Sequence, residues 1–284
     1  MRRINARWVE KIVFASLLLS TLVIVIPVIL ITLLILKQGI AGLSWEFLSQ
    51  NPRLGMRAGG IFPAIVGTLY LVLGTMFFAL PAGILAAVYL SEYAKDNWLT
   101  RIIDIAIVNL AGVPSVVYGL FGLGLFVVFL NFGTSILSGC LTLSIMSLPV
   151  IITASREALN SVPQSFREAS LALGATRWQT IHCVVLPNAL PGIMTGTILA
   201  MSRAAGETAP ILFTVAAFYL PRLPRTVFDQ CMALPYHLYV IATQVPNVKP
   251  HVQYGTALVL ILMVLLMNII AIVIRTRFRK RKQW

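Results

Sequence analysis

The side chains best suited to chemistry in this sequence are Arg203 and Glu207, four residues apart near the end of the apolar run NALPGIMTGTILAMSRAAGETAP. At about 100° per residue, Gly192, Gly196, Ala200, Arg203 and Glu207 fall within roughly 80° of one helix face. The pair is therefore expected on the face whose small residues let another helix approach, not toward lipid. Arg203 lies about 16 Å beyond Gly192, near the middle of a membrane span. A charge at that depth costs about 2.5–3.5 kcal/mol on insertion scales, so a functional role is the default. A salt bridge that only holds the bundle is the competing reading. The order Arg before Glu is the weaker polarity along a helix, which argues against pure stabilisation. The planar fork of arginine offers an oxyanion such as phosphate two parallel charge-assisted hydrogen bonds. Glu207 would hold Arg203 in place, or moderate its field so that an anion passes without being trapped.

Other chemistries lack their motifs. There is no G-x-x-x-x-G-K-[ST] phosphate loop, no G-x-S-x-G, no H-E-x-x-H and no zinc-ligand spacing. No catalytic residue, no metal site and no cofactor held by this chain is expected. His182, His237 and His251 are scattered and read as interfacial or loop residues. Cys140, Cys183 and Cys231 read as free thiols used as small apolar residues. Asp104, three residues after Arg101, reads as half of a local pair.

A second feature is the polar stretch 161–187 ahead of the arginine. Ser161-Val-Pro-Gln164 fits a capping box opening a helix through Arg167, Glu168 and Ala169, which stops at Gly174 in a left-handed cap. Thr176-Arg-Trp-Gln179 is a second capping box, starting a helix with Trp178, Ile181 and Val185 on one apolar face and ending at Pro187. A plain connector needs only a few residues. Two short, punctuated helices with apolar side chains read as a docking surface for a soluble partner.

Composition sets the frame. The chain has 284 residues, 58% hydrophobic and 11% charged, with a mean hydropathy of +0.90. A soluble domain of this length cannot bury so much apolar surface, so the class is a polytopic, all-α membrane protein. The net charge of +13 gathers largely at the two ends, where anionic lipid and topology explain it better than nucleic acid does. The first apolar run is too long for a signal peptide and is expected to remain as an anchor.

Six spans are expected, at about 12–36, 62–90, 103–130, 134–154, 188–217 and 252–274, forming one permease domain over 12–274. The tails are 1–11 and 275–284. Pro81 is expected to break or kink the second span, and Asn131-Phe132-Gly133 to turn between the third and fourth. Ala111, Ser115 and Gly119 form a small-residue stripe on the third span. Residues 37–60 form a Gly-rich connection with one short helix near Trp45, residues 91–101 a short polar loop, and 218–250 a proline-rich loop. The Lys and Arg distribution places both ends and the 161–187 hairpin in the cytoplasm.

Glu168-Ala169-Ser170, then Gly174, then Val184-x-Leu186-Pro187 resembles the EAA loop of ABC-importer permeases. Serine stands for the second alanine and valine for the common isoleucine. SRAAGETAPILFT (202–214), GLSWEFLSQNPR (42–53) and RAGGIFPAIVGTL (57–69) are similar to the permease subunits of bacterial phosphate importers, and the likeness covers most of the chain. The resemblance implies the type I ABC importer permease fold and an inner-membrane location. It implies that Glu168, Ala169, Gly174 and Pro187 form the ATPase-coupling loop, and that Arg203 and Glu207 line the translocation path. Implied partners are a second, related permease, two copies of an ABC ATPase that binds ATP and Mg, a periplasmic phosphate-binding protein and membrane lipid, with no nucleic acid. The alternatives are an ABC permease for another oxyanion, a stand-alone secondary transporter or channel, and a structural scaffold.

Overall fold

A computed structural model describes residues 6–280. Arg2, Arg3, Arg281 and Lys282 of the two basic tails lie outside the described residues. The described residues are mostly helical, with one short hairpin of two-residue strands and irregular connections, the longest at 215–233. In order come α1 (Ala6–Ile40), α2 (Trp45–Ser49), β1 (Pro52–Arg53), β2 (Ala58–Gly59) and α3 (Phe62–Val88), which a wide π turn extends over Tyr89–Tyr93. Then follow α4 (Trp98–Ala111), α5 (Ser115–Gly122, with a π segment Leu123–Phe129), α6 (Ile136–Asn160) and α7 (Gln164–Ala172). The last elements are α8 (Arg177–Thr180, with a π turn Ile181–Val185), α9 (Leu186–Gly206), α10 (Ala209–Thr214), α11 (Leu234–Thr243) and α12 (Pro250–Lys280).

Among the described residues, five helices are long and apolar enough to cross a membrane, and α4 with α5 makes a sixth crossing bent by 105°. Packing shows that this bent pair does carry the chain across. Ser91, at the end of α3, bonds Asn160 at the end of α6, so both helices finish at the hairpin end of the molecule. Ser135, before α6, bonds Thr214 at the opposite end. Residues 94–134 must therefore traverse the bundle. The end of α1 lies against the start of α12 at Gly39 and Leu258, while Arg275 reaches Thr195 in the first half of α9. The described start of α1 and end of α12 thus sit at the hairpin end.

α6 packs along α3 and α9 and is the most buried span. Its inward Ser and Thr side chains bond back to carbonyls one turn earlier, as Thr142 to Ser138 at 2.7 Å and Ser147 to Leu143 at 2.8 Å, so they cost little inside an apolar bundle. The main core, with Ile61, Leu143, Met146, Met232, Leu234 and Ile241, gathers at the end opposite the hairpin. A second cluster around Leu159, Val162, Ile181, Val185 and Ile193 sits under the hairpin.

Several expectations are corrected. The 103–130 span is not one helix: Gly112, Val113 and Pro114 break it, because Pro114 has no amide hydrogen and its ring opposes the carbonyl of Leu110. The Ala111–Ser115–Gly119 stripe is consequently split between α4 and α5, and Gly119 packs on Ala209 and Pro210. α3 runs unbroken through Pro81. Residues 91–101 are largely helical, and the 218–250 loop contains α11, with Pro235 in its first turn. The turn at Asn131 and Gly133 forms, both at positive φ.

The connection before α11 is tied down at Asp229, which accepts the backbone N–H groups of Arg225 at 2.7 Å and Thr226 at 3.1 Å. Those donors hold its carboxyl below the usual range. His237 on α11 is 3% exposed, and burial lowers its pKa to about 4.

Two outcomes follow from this packing. A Cβ at Gly67 would overlap the Met232 carbonyl, an atom of the backbone. Gly67→Ala should therefore cost about 1–3 kcal/mol or more, read as a lowered midpoint of thermal unfolding in detergent. His237 stays neutral when folded and binds a proton below pH ~6.5 when unfolded, so its contribution is complete above ~6.5 and lost as pH falls toward 4. The loss should approach about 3 kcal/mol by pH ~4, and His237→Leu should flatten that part of the stability profile.

Candidate functional site

The polar hairpin is built as two short helices locked by local chemistry. Gly174 takes φ +83°, the left-handed cap that ends α7. Thr176 and Gln179 form the reciprocal capping box: the Gln179 N–H donates to Thr176 Oγ1 at 3.3 Å, and the Thr176 N–H to Gln179 Oε1 at 2.8 Å. The hydroxyls of Ser170 and Thr180, 2.9 Å apart, bind α7 to α8. Glu168, Ala169 and Gly174 are exposed on the hairpin, beside Leu171, Leu173 and Trp178, which are also exposed.

The opening capping box is corrected. Pro163 is the N-cap of α7 without a side-chain bond. Ser161 keeps a right-handed helical conformation, and its hydroxyl donates to the Ala158 carbonyl at 2.7 Å, finishing α6 instead. Pro187 does not end α8 either. The π turn Ile181–Val185 carries the helix on, and half-buried Pro187 falls in the first turn of α9, where a missing amide hydrogen costs nothing. Asn188 lies inside α9. Ile181 and Val185 point into the core while Trp178 stays outside, so the expected single apolar face is divided.

Arg203 lies in the last turn of α9, where the helix dipole favours a cation. Its Nε donates to Glu207 Oε1 at 3.2 Å, so the expected pair forms. The expected geometry is corrected in two ways. Glu207 is not on the helix: α9 stops at Gly206, and Glu207 is extended at φ −72°, ψ 134°. The cause is Pro210, whose ring would oppose the carbonyl of Gly206 four residues back, at a residue of low helix propensity. The second correction concerns burial. Gly192 and Gly196 face Ala158 and Ala154 of α6, and Ala200 is buried, whereas the Arg203 side chain is 38% exposed and Glu207 17%. About 60° of helix rotation separates Arg203 from Ala200.

The span expected at 188–217 is thus discontinuous, α9 then α10, with unwound backbone at Glu207 and Thr208 beside a guanidinium. Irregular backbone at membrane depth is tolerated where it is buried in protein or lines a polar cavity. Tyr118, in the bent third crossing, lies within electrostatic range of Arg203. The two broken spans therefore meet near one cation on a face this chain leaves uncovered.

Other charges pair differently from the local scheme. Asp104 bonds Arg156 of α6, with one contact at 3.2 Å, and Arg101 pairs with Asp96 at 3.0 Å. Glu92 falls in the stretch whose sequence reads as a short polar loop. It is 9% exposed and accepts from Arg167 at 2.7 Å. The only sequence signal was its position as the first charge after a long apolar run. Cys140 and Cys231 are buried, but Cys183 is exposed.

Residues 79–284 match the family model described as binding-protein-dependent transport system inner membrane component. The chain is 36% identical over 251 residues to the probable ABC transporter permease protein YqgI of Bacillus subtilis, covering 84% of this chain and 85% of that one. It is 38% identical over 227 residues to the phosphate transport system permease protein PstA 1 of Mycobacterium tuberculosis, covering 80% and 73%. The fold is similar to a chain of a bacterial alginate ABC transporter solved with an alginate-bound periplasmic protein. That likeness has a TM-score of 0.69 at 15% identity and covers 95% of this chain and 96% of that one. The MetNI methionine ABC transporter in an inward-facing form is similar at a TM-score of 0.58 and 17% identity, covering 77% and 94%.

The capping box gives this site a local test. Thr176→Ala should cost α8 about 1 kcal/mol, read as roughly fivefold faster amide hydrogen exchange at Gln179.

Proposed function

The chain belongs to the binding-protein-dependent transport system inner membrane component family, and from that premise we propose that it is the permease subunit through which an ATP-driven importer moves inorganic phosphate. The observation that carries this reading is Arg203 at the broken end of α9, bonded to Glu207 and exposed on an uncovered face. Phosphate matches its forked donors, presenting two oxygens to two parallel N–H groups. The relatives named as phosphate permeases support the same substrate.

In this reading the uncovered face meets a second, related permease, and the two close a path around Arg203. The hairpin faces the cytoplasm with both ends of the chain, in the inner membrane, and its exposed Leu171, Leu173 and Trp178 enter a cleft of the ATPase. Two such ATPases bind ATP and Mg; this chain carries out no covalent chemistry. A periplasmic phosphate-binding protein delivers the ion at the opposite end. ATP binding draws the ATPases together, the hairpins follow, and the path changes the side to which it opens. Glu207 keeps Arg203 from holding the anion too tightly, since conduction needs a site that is entered and left.

Uptake of labelled phosphate by cells or vesicles tests this. Arg203→Gln should lower uptake at least tenfold with the complex intact, about the worth of one charge-assisted hydrogen-bond pair. Unchanged uptake removes Arg203 from the path. Sulfate or molybdate competing better than phosphate reassigns the substrate, and the absence of a copurifying ATPase leaves a carrier that works alone.

A further inference from the structure

The hairpin is held to the bundle by ions as well as by the apolar cluster beneath it, against which Phe166 of α7 packs partly buried. No residue of α7 is fully buried. Its Arg167 reaches three segments at once. Nη2 and Nε donate to the Glu92 carboxylate, at 2.7 Å and 3.3 Å. Nη1 donates to the Val162 carbonyl at 2.7 Å, and Nη2 to the Leu159 carbonyl at 2.9 Å. Arg177, from the second hairpin helix, donates to the backbone carbonyl of the same Glu92 and lies 5.2 Å over the Tyr93 ring.

The π turn makes this convergence possible. Over Tyr89–Tyr93 the helix widens, and the Glu92 carbonyl that receives Arg177 stands beyond the regular ladder of α3. The carboxylate is 9% and the guanidinium 13% exposed. They border a cavity of about 780 Å³ lined by Ser91, Asn160, Gln164 and Thr180, so the pair keeps a polar surround. Removing either partner strands the other charge.

Beyond that apolar cluster the hairpin has three attachments to the bundle. Two are covalent: α7 follows α6 after only three residues, and α8 runs without interruption into α9, whose far end carries Arg203. The third is Glu92, at the end of α3. We propose that Glu92 is a positioning residue that couples hairpin displacement to α3, so that α3 and α9 move as one body when the ATPase pulls. This rests on the importer reading above. Without the clamp, the pull reaches α6 and α9 but slides them along α3, and the path no longer opens as a unit.

The test uses the complete complex, copurified with its ATPase and reconstituted in lipid, with Cys183 replaced by Ser. Spin labels go at Leu173, on the hairpin tip, and Tyr89, at the inner end of α3, both exposed positions. In the wild type the distance between them should hold within ~2 Å when a non-hydrolysable ATP analogue binds, whereas Glu92→Gln should let it change by about one helical turn, ~5 Å. Phosphate taken up per ATP should fall about tenfold in Glu92→Gln, with hydrolysis retained. In separate, unlabelled samples, Glu92→Cys with Arg167→Cys should recover that ratio when a short bis-methanethiosulfonate, displacing sulfinate at each thiol, bridges the two. A wild-type distance that shifts with nucleotide overturns the clamp. So does a Glu92→Gln complex that keeps the wild-type distance, or that loses uptake and hydrolysis in proportion, or a bridge that restores nothing. Hydrolysis without phosphate uptake in the wild type defeats the substrate assignment, and the distances alone then decide the clamp. A chain that captures no ATPase defeats the importer reading and the clamp's transmitting role together.

Discussion

Hydrocarbon offers no hydrogen bonds, so every backbone amide inside a membrane must find its partner within the protein. The rest of this structure depends on where that requirement is relaxed. It is relaxed at Gly112–Pro114 and at Gly206–Thr208, and Gly119 of α5 packs directly on Ala209 and Pro210 just past the second break. An all-lipid surrounding would make these breaks costly. At the second break the helix end stands beside Arg203, where its dipole favours the cation.

Around those breaks the fold divides its labour. The end opposite the hairpin carries the main apolar core, the Asp229 turn and buried His237. The hairpin end is more polar: Asp104–Arg156, Glu92–Arg167 and Ser91–Asn160 join elements distant in sequence. Apolar packing tolerates small sliding, whereas forked ion pairs fix orientation.

Much of this was legible in the residues. The helical class, the Thr176–Gln179 box, the left-handed Gly174 and the Arg203–Glu207 contact all follow from local chemistry. The misreadings also have local causes. Four prolines, Pro27, Pro81, Pro149 and Pro191, sit inside unbroken helices. None has a glycine among the four residues before it, whereas Pro114 follows Gly112 and Pro210 follows Gly206. A proline removes one bond, and only with a glycine nearby does the helix give way here. Ser161 was ambiguous because a hydroxyl can finish one helix as easily as begin the next. The Glu92–Arg167 pair joins residues 75 apart, and no single-sequence pattern reports a contact at that range.

The most direct measurement of the central claim is the accessibility of the break itself. Gly206 has open space where a side chain would begin, so Gly206→Cys, with Cys183 replaced by Ser, can be probed in the assembled complex with membrane-impermeant thiol reagents from each side. The account requires labelling from the hairpin side without nucleotide and from the opposite side with a trapped ATP analogue, slowed in both cases by phosphate. A thiol at 206 that reacts from neither side in either state would contradict it.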